Sequence, residues 1–397
     1  MPIYLVGGFV RDLILGVNNL DLDIVVVGNG ISFAEDLTRH LKAKLIRHRR
    51  FGTATVILKP HLKIDITSAR KEFYPSPAHL PVVGEGTLKD DLFRRDFTIN
   101  AMAISITGGN FGRLIDFFAG RDDLFKKKIR ILHNLSFIDD PTRILRAVRF
   151  EKRYNFRIES ETLENLKEAV KLKMLEKVEP QRIRDDLILI LKEKHPLRQI
   201  MRLKELVGFA FINPHLSVSQ KTYRSLRSAE RQISWFEKRY PQRRQLDAWL
   251  IYFMGLTDSL KPNAVKELCR RFAFHKGEEK RLLSCKKINY RFIRELSQKN
   301  IRPSRIFALF EPLSYEVILF LKTKYKNPSL HKHIEDFFEV YNGMRIYIGG
   351  DELYRLGFEP GPNYQKVFAK VLKAKLDGLV KTKEEELALI KKFIKFK

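Results

Sequence analysis

Leu5-Val6-Gly7-Gly8-Phe9-Val10-Arg11-Asp12, then Asp21-Leu22-Asp23-Ile24-Val25-Val26-Val27, decides the fold of the N-terminal third. An apolar run over 3–6 meets a glycine pair, and residues 9–15 repeat at helical spacing up to Gly16, so a strand, a glycine turn and a helix follow in order. Residues 21–27 alternate acid and apolar residues, reach three valines and stop at Gly28-Asn29-Gly30, the pattern of a strand ended by a turn. Residues 31–41 form an amphipathic helix. Residues 53–58 and 62–66 are β-rich on either side of Pro60-His61, which predicts a hairpin. Together these segments predict a mixed sheet of about five strands.

From about Ser136 the strand signals fade. Amphipathic stretches at 141–154, 160–175, 180–193, 219–240, 246–254 and 264–274 predict an essentially helical remainder. Breaks fall at Asn213-Pro214, Tyr240-Pro241, Lys261-Pro262 and Arg302-Pro303, because the residue before a proline is biased away from the helix. A final unit starts near Tyr347, with Gly349-Gly350 and Pro360-Gly361-Pro362 ahead of a lysine-rich helix.

The chain has 397 residues, too many for one ordinary core. Its 75 Lys and Arg against 47 Asp and Glu leave a net charge of +28, which points to a polyanionic partner, nucleic acid or an acidic membrane surface. With 44% apolar and 11% aromatic residues, wholesale disorder is excluded. Two cysteines, Cys269 and Cys285, exclude a disulfide framework and a cysteine zinc site, and fit a reducing, cytoplasmic compartment. No apolar run reaches the roughly 18 residues of a membrane-spanning helix, so no membrane partner is expected. A chain that opens directly on a core strand leaves open that it is a piece of something longer.

Asp21 and Asp23 are two apart on a strand, so their side chains leave one face and converge. Like charges so close repel unless a cation lies between them, and hard carboxylate oxygens suit Mg²⁺. Asp65, on the strand at 62–66, is the candidate third carboxylate. Such pairs also occur on solvated strand edges, but here Gly7-Gly8 opens a helix just upstream, where backbone N–H groups can approach phosphates closely. Arg11, one turn into that helix, is in reach of a phosphate.

These motifs, followed by Arg94-Arg95-Asp96-Phe97-Thr98-Ile99-Asn100-Ala101 and Asp139-Asp140-Pro141-Thr142-Arg143-Ile144-Leu145-Arg146-Ala147-Val148-Arg149-Phe150, stand in the order of the class II tRNA nucleotidyltransferase and bacterial poly(A) polymerase family. The chain resembles that family firmly over 1–190. Glu179-Pro180-Gln181-Arg182-Ile183-Arg184 resembles the next helical motif, with Glu179 where serine is usual and Gln181 where glutamate is usual. The resemblance implies an α+β, polymerase-β-like nucleotidyltransferase head (1–135) followed by an all-α neck (136–205), body (206–335) and tail (336–397). It implies that Asp21 and Asp23 hold metal ions, with Asp65 a further catalytic carboxylate. Gly7, Gly8 and Arg11 would serve the triphosphate, and Arg94, Arg95, Asp96 and Asn100 the sugar and phosphates. Asp140 and Arg143 would face the base, with Arg146 and Arg149 also at the nucleotide. The implied substrates are CTP and/or ATP and a tRNA 3′ end, with Mg²⁺ as cofactor. A poly(A) polymerase and a catalytically silent RNA-binding module are the alternatives.

Asp140 and Arg143, three apart, are expected on one helical face. A carboxylate accepts from the exocyclic amine of cytosine or adenine and rejects the carbonyl of uracil or guanine, while a guanidinium donates to the neighbouring acceptor. Residues 221–300 hold 20 Lys and Arg against 8 Asp and Glu, an RNA-facing surface in which Arg224, Arg227, Arg231, Arg243 and Arg244 recur with Trp235 and Tyr240 between them. Gly361, at a helix start, is a further candidate phosphate contact. Residues 67–92 correspond to a flexible loop that the family uses when switching towards A addition.

Overall fold

Short apolar runs at the N-terminus pair because each has one face to bury. The computed structural model describes residues 1–48, 52–59 and 62–394, divided into two compact units, Met1–Pro214 and His215–Lys397. The first unit threads β1 (Ile3–Val6), α1 (Gly8–Ile14), β2 (Leu22–Val26), α2 (Gly30–Leu41), β3 (Lys44–His48), β4 (Thr53–Lys59), β5 (Leu62–Ser68), β6 (Arg70–Phe73), β7 (Val82–Glu85), α3 (Leu88–Phe93), β8 (Met102–Ser105) and β9 (Leu114–Asp116). It continues through α4 (Gly120–Phe125), β10 (Lys128–Ile129), α5 (Ser136–Asp139), α6 (Thr142–Arg153), β11 (Arg157–Ile158), α7 (Ser160–Lys171), α8 (Pro180–Leu191) and α9 (Pro196–Leu206).

The main sheet has seven strands in the order β3-β4-β5-β2-β1-β8-β9, two more than the sequence predicts. β3 and β9 are edge strands with no fully buried residue, so they carry little of the alternation by which a strand is recognised. β4 and β5 form the expected antiparallel pair, and the Pro60-His61 turn lies outside the described residues. β2 and β5 run parallel with Asp23 opposite Asp65. Ile24 and Val26 point to one apolar cluster with Ala34, Val56 and Ile66, while Val25 points to the other with Val6, Leu88, Leu92 and Ala103. Asp21 and Asp23 share the parity of Val25, which turns them to the α3 side of the sheet.

Residues 67–92 are more ordered than a loop. β6 and β7 form an antiparallel hairpin, and Thr87 and Asp90 build a capping box that starts α3. Among the described residues beyond Ser136 one strand persists: β11 pairs with β10 in parallel across the expected 135/136 boundary, so head and neck residues share one compact unit.

The second unit is helical: α10 (Gln220–Arg239), α11 (Ala248–Leu256), α12 (Pro262–Arg271), α13 (Lys276–Lys287), α14 (Tyr290–Leu296), α15 (Pro303–Phe310), α16 (Tyr315–Lys324), α17 (Pro328–Glu339), α18 (Gly350–Arg355), α19 (Pro362–Leu376) and α20 (Lys383–Ile394). Residues 249–256 are all buried, making α11 the central helix. Phe236, Tyr240, Tyr315 and Phe338 pack as an aromatic cluster, with Phe236 and Phe338 centroids 4.9 Å apart. Leu353, Val367, Val371 and Ile390 form a separate small core at the C-terminal end. No helix among the described residues is long and apolar enough to cross a membrane.

Candidate active site

Gly7 caps α1 at φ 72°, a conformation that favours glycine, and a Cβ there would meet Arg95 Nη1 at 2.7 Å and Asp23 Oδ2 at 3.6 Å. The glycine turn thus lets a guanidinium and a carboxylate close over it. Around it lies a cavity of about 650 Å³ in the first unit, whose lining includes every expected site residue from Gly7 to Arg149 except Asp65. Eight arginines face six carboxylates, a cationic excess suited to a polyphosphate.

Four polar residues tie the glycine turn to α6. Arg11 Nη1 donates to Asn100 Oδ1, Asn100 Nδ2 donates to Asp96 Oδ1 at 2.8 Å, and Arg146 Nε donates to Asp96 Oδ2 at 2.8 Å. Burial would raise the Asp96 carboxyl, but Arg146 and Asn100 outweigh it and hold the group at about 2. Arg11 also donates to Asp12 at 2.8 Å and lies over the Tyr154 ring, whose hydroxyl donates to Asp12 at 3.2 Å.

Arg94 and Arg95 are fanned out by one fully buried carboxylate: Asp91 Oδ1 accepts from Arg94 and Oδ2 from Arg95 at 3.0 Å. Arg94 also donates to Glu72 at 3.1 Å, so the β6–β7 hairpin buttresses the cavity. Asp91, Glu72, Tyr74, Arg153 and Arg182 were not among the expected site residues. Arg153 extends the 146/149 spacing and Arg182 lies in the motif at 179–184, whereas nothing local marks Asp91.

The expectation that Asp140 and Arg143 share one helical face is corrected. Pro141 is the N-cap of α6, so Asp140 precedes the helix, and its Oδ1 accepts from the Thr142 N–H and hydroxyl and from Arg182 at 2.8 Å. Arg143 instead donates to Ser136 Oγ and, at 2.7 Å, to the Arg94 carbonyl. Both residues still line the cavity.

Asp23 is half-buried, and desolvation, reinforced by Asp21 and Asp65 and opposed by Arg95, pushes its carboxyl up to about 6. Asp65 does not join the cavity: its Oδ1 accepts from Thr55 at 2.6 Å and its Oδ2 from Lys63 at 3.0 Å. Lys63 Nζ also lies 3.3 Å from Asp21, an ammonium resting between two carboxylates. No group of three metal-ligating residues forms among the described residues. A pair of hard carboxylates that draws a cation fits Mg²⁺, which binds through one or two carboxylates together with substrate phosphates.

In the second unit, Arg224, Arg227 and Arg231 lie exposed along α10, with no acidic partner among the described residues. Arg243 donates to Asn342 at 3.0 Å and to the Phe338 carbonyl at 2.9 Å, and Arg244, itself exposed, makes a fork on the fully buried Glu316 at 2.9 and 2.8 Å. These guanidiniums hold the body together. Tyr240 is buried, and Lys322 covers the Trp235 ring at 3.4 Å, so neither ring is a free stacking platform. Gly361 is the exposed N-cap of α19.

A family model described as "Poly A polymerase head domain" matches residues 3–130, and one described as "Probable RNA and SrmB- binding site of polymerase A" matches residues 155–219. The A-adding tRNA nucleotidyltransferase of Halalkalibacterium halodurans is 33% identical over 406 residues, spanning 100% of this chain and 90% of that protein. The chain belongs to the tRNA nucleotidyltransferase and poly(A) polymerase family. The A-adding tRNA nucleotidyltransferase of Geobacter sulfurreducens is 36% identical over 394 residues, 98% of this chain but 45% of that protein, so the chain spans about half of that relative's length. The structure of the Thermotoga maritima CCA-adding enzyme complexed with tRNA superposes with a TM-score of 0.72 at 36% identity, covering 98% of this chain and 90% of that one. The sheet-containing head followed by helices is the family architecture, and nucleotidyl transfer in the family needs a divalent cation.

Proposed function

We propose that the protein is a template-independent nucleotidyltransferase that adds C and/or A to the 3′ end of tRNA, from CTP or ATP, with release of pyrophosphate, and that it acts in the cytoplasm. The observation that carries the reading is the single cavity in which Asp21 and Asp23 share a wall with eight arginines and with Asp140. Addition of A is the activity common to the A-adding and CCA-adding relatives. Two free thiols, Cys269 and Cys285, support a reducing compartment.

Mg²⁺ held by Asp21 and Asp23 would supply activation of the primer 3′-hydroxyl and neutralisation of the leaving pyrophosphate. Gly7 and Gly8 leave room for the triphosphate beside Arg11, Arg94 and Arg95, which Asp91 and Asn100 orient. Asp140 has Oδ1 saturated by Thr142 and Arg182, which leaves Oδ2 to accept the exocyclic amine of cytosine or adenine. Arg143 uses two N–H groups on Ser136 and Arg94 and keeps others for the acceptor beside that amine.

The test supplies CTP or ATP separately to tRNA primers ending before the first C, after one C and after two. Addition of one A to the primer ending in CC, dependent on Asp21 and Asp23, supports the reading, and the shorter primers read C addition. Long A tails on unrelated RNA overturn it in favour of a poly(A) polymerase. RNA binding without incorporation overturns it in favour of a silent module.

A further inference from the structure

We infer that Tyr74 is the surface on which the base of the incoming nucleotide stacks, so that the base is held on its face by a phenol ring while its edge meets Asp140 and Arg143. The inference rests on the nucleotidyltransferase reading and adds to it a residue for base binding.

A base that met protein along its edge alone would keep both of its faces in water, and an aromatic ring is the usual platform that covers one. The lining of the catalytic cavity includes two aromatic rings, Tyr74 and Phe150. Phe150 is 5% exposed, and the guanidiniums of Arg11, Arg146 and Arg149 already lie over it, 5.4, 5.5 and 4.9 Å from its centroid. Tyr74 is half-buried, and its ring pairs with no other ring or cation among the described residues. Its face is therefore the one left for a ligand.

The chain holds that ring in place from both sides. Glu72 and Tyr74, two apart at the end of β6, both line the cavity, while Phe73 between them is turned out to solvent. The Tyr74 hydroxyl donates to Glu72 Oε2 at 3.2 Å, and Glu72 Oε1 accepts from Arg94 at 3.1 Å. Four residues on, the N–H of the buried Ala78 donates to the Ile138 carbonyl at 3.1 Å, which ties the segment to α5, the helix that ends beside Asp140. Burial pushes the Tyr74 hydroxyl up to about 12 against the opposing charge of Arg143, so the ring stays neutral and remains a donor at physiological pH. Arg143 and Asp140 both lie close enough to act on that hydroxyl, which places the ring at the end of the cavity where the base edge is proposed to sit.

The test measures equilibrium binding of ATP, CTP and inorganic tripolyphosphate, with Mg²⁺ and without RNA, to the parent and to Tyr74→Ala, Tyr74→Leu and Tyr74→Phe. The thermal unfolding midpoint of each variant checks its folding. Tyr74→Ala and Tyr74→Leu are expected to lose about 10–100-fold in affinity for ATP, and less for CTP, whose single ring covers less of the phenol. Tyr74→Phe keeps the stacking face and should stay within about threefold of the parent, and tripolyphosphate binding should not change in any variant. Unchanged ATP affinity in the Ala and Leu variants overturns the inference. So does a Leu variant that matches the parent, since apolar bulk then suffices, and so does an equal loss for tripolyphosphate, since Tyr74 then acts on Arg94 through Glu72. Primer extension is run alongside. A parent that binds ATP but incorporates none, with the loss still seen in the variants, removes the activity reading and leaves the stacking; a parent that extends, with variants that bind ATP normally, does the reverse.

Discussion

Arg182, on α8, donates from Nη2 to Asp140 Oδ1 at 2.8 Å and so fixes the carboxylate that precedes α6. On the proposed reading, the Asp140 oxygen left to meet the base is thereby aimed by a residue from another helix. Replacing Arg182 by Ala is expected to lower kcat/KM for ATP by about 10–100-fold and to narrow the gap to GTP and UTP, because one or two hydrogen bonds of about 1–3 kcal/mol lose their geometry. Steady-state kinetics with the four nucleotides measure it. An Arg182→Lys variant restores charge without the fork and should recover only part of the discrimination.

Asp23→Asn separates chemistry from stability. Incorporation is expected to fall by at least about a thousandfold, since the carboxylate pair is broken. Burial has raised the Asp23 carboxyl to about 6, above its ordinary value, so the folded protein without metal holds that proton more tightly than the unfolded chain. Its stability falls as pH rises through 4 to 6. The variant escapes this loss and should be more stable than the parent by about 1–3 kcal/mol at pH 7.5 in chelator, and equal to it below pH 4. Adding Mg²⁺ should raise the unfolding midpoint of the parent alone.

Glu316 behaves in the opposite sense. Burial would raise its carboxyl, but hydrogen bonds from Arg244 and the Asp247 N–H outweigh that and hold it at about 2. Its contribution is fully present above about pH 4.5 and is lost as pH falls towards 2. Glu316→Gln should therefore cost about 2–3 kcal/mol at pH 7 in urea unfolding, with the difference from the parent closing at acid pH.

The exposed arginines of α10 test the proposed RNA surface of the second unit. Arg224→Ala, Arg227→Ala and Arg231→Ala combined should weaken tRNA binding and make its log–log salt slope shallower by about 2–3. The ratio of ATP to GTP use should not change, because these side chains lie in the second unit, while Asp140 and Arg143, proposed to face the base, lie in the first. A parallel change in base preference is the contrary outcome.

What was legible in the sequence was what is local. The Gly7 turn, the alternation of β2 and the apolar face of α6 each follow from a few neighbouring residues. The position of Asp140 was misread because spacing alone suggests a helical pair, whereas Pro141 starts the helix one residue too late to include it. The partners of Arg243 and Arg244, the Phe338 carbonyl and Glu316, were not legible because they lie 95 and 72 residues along the chain. Asp91 carried no signal, since its role is to orient two arginines that were themselves legible. Asp65 was in the right strand and register, and Lys63 and Thr55 decided its use.

The chain of bonds from Arg11 through Asn100 and Asp96 to Arg146 has a mechanical meaning. It runs from the turn beside Asp23 to the helix that carries Arg143, with no exposed link except Arg146, itself largely covered. In a copying polymerase the ruler is a nucleic acid strand that slides. On the proposed reading the ruler is a brace inside the protein, and the accuracy of nucleotide choice would be limited by how stiffly four side chains hold its length.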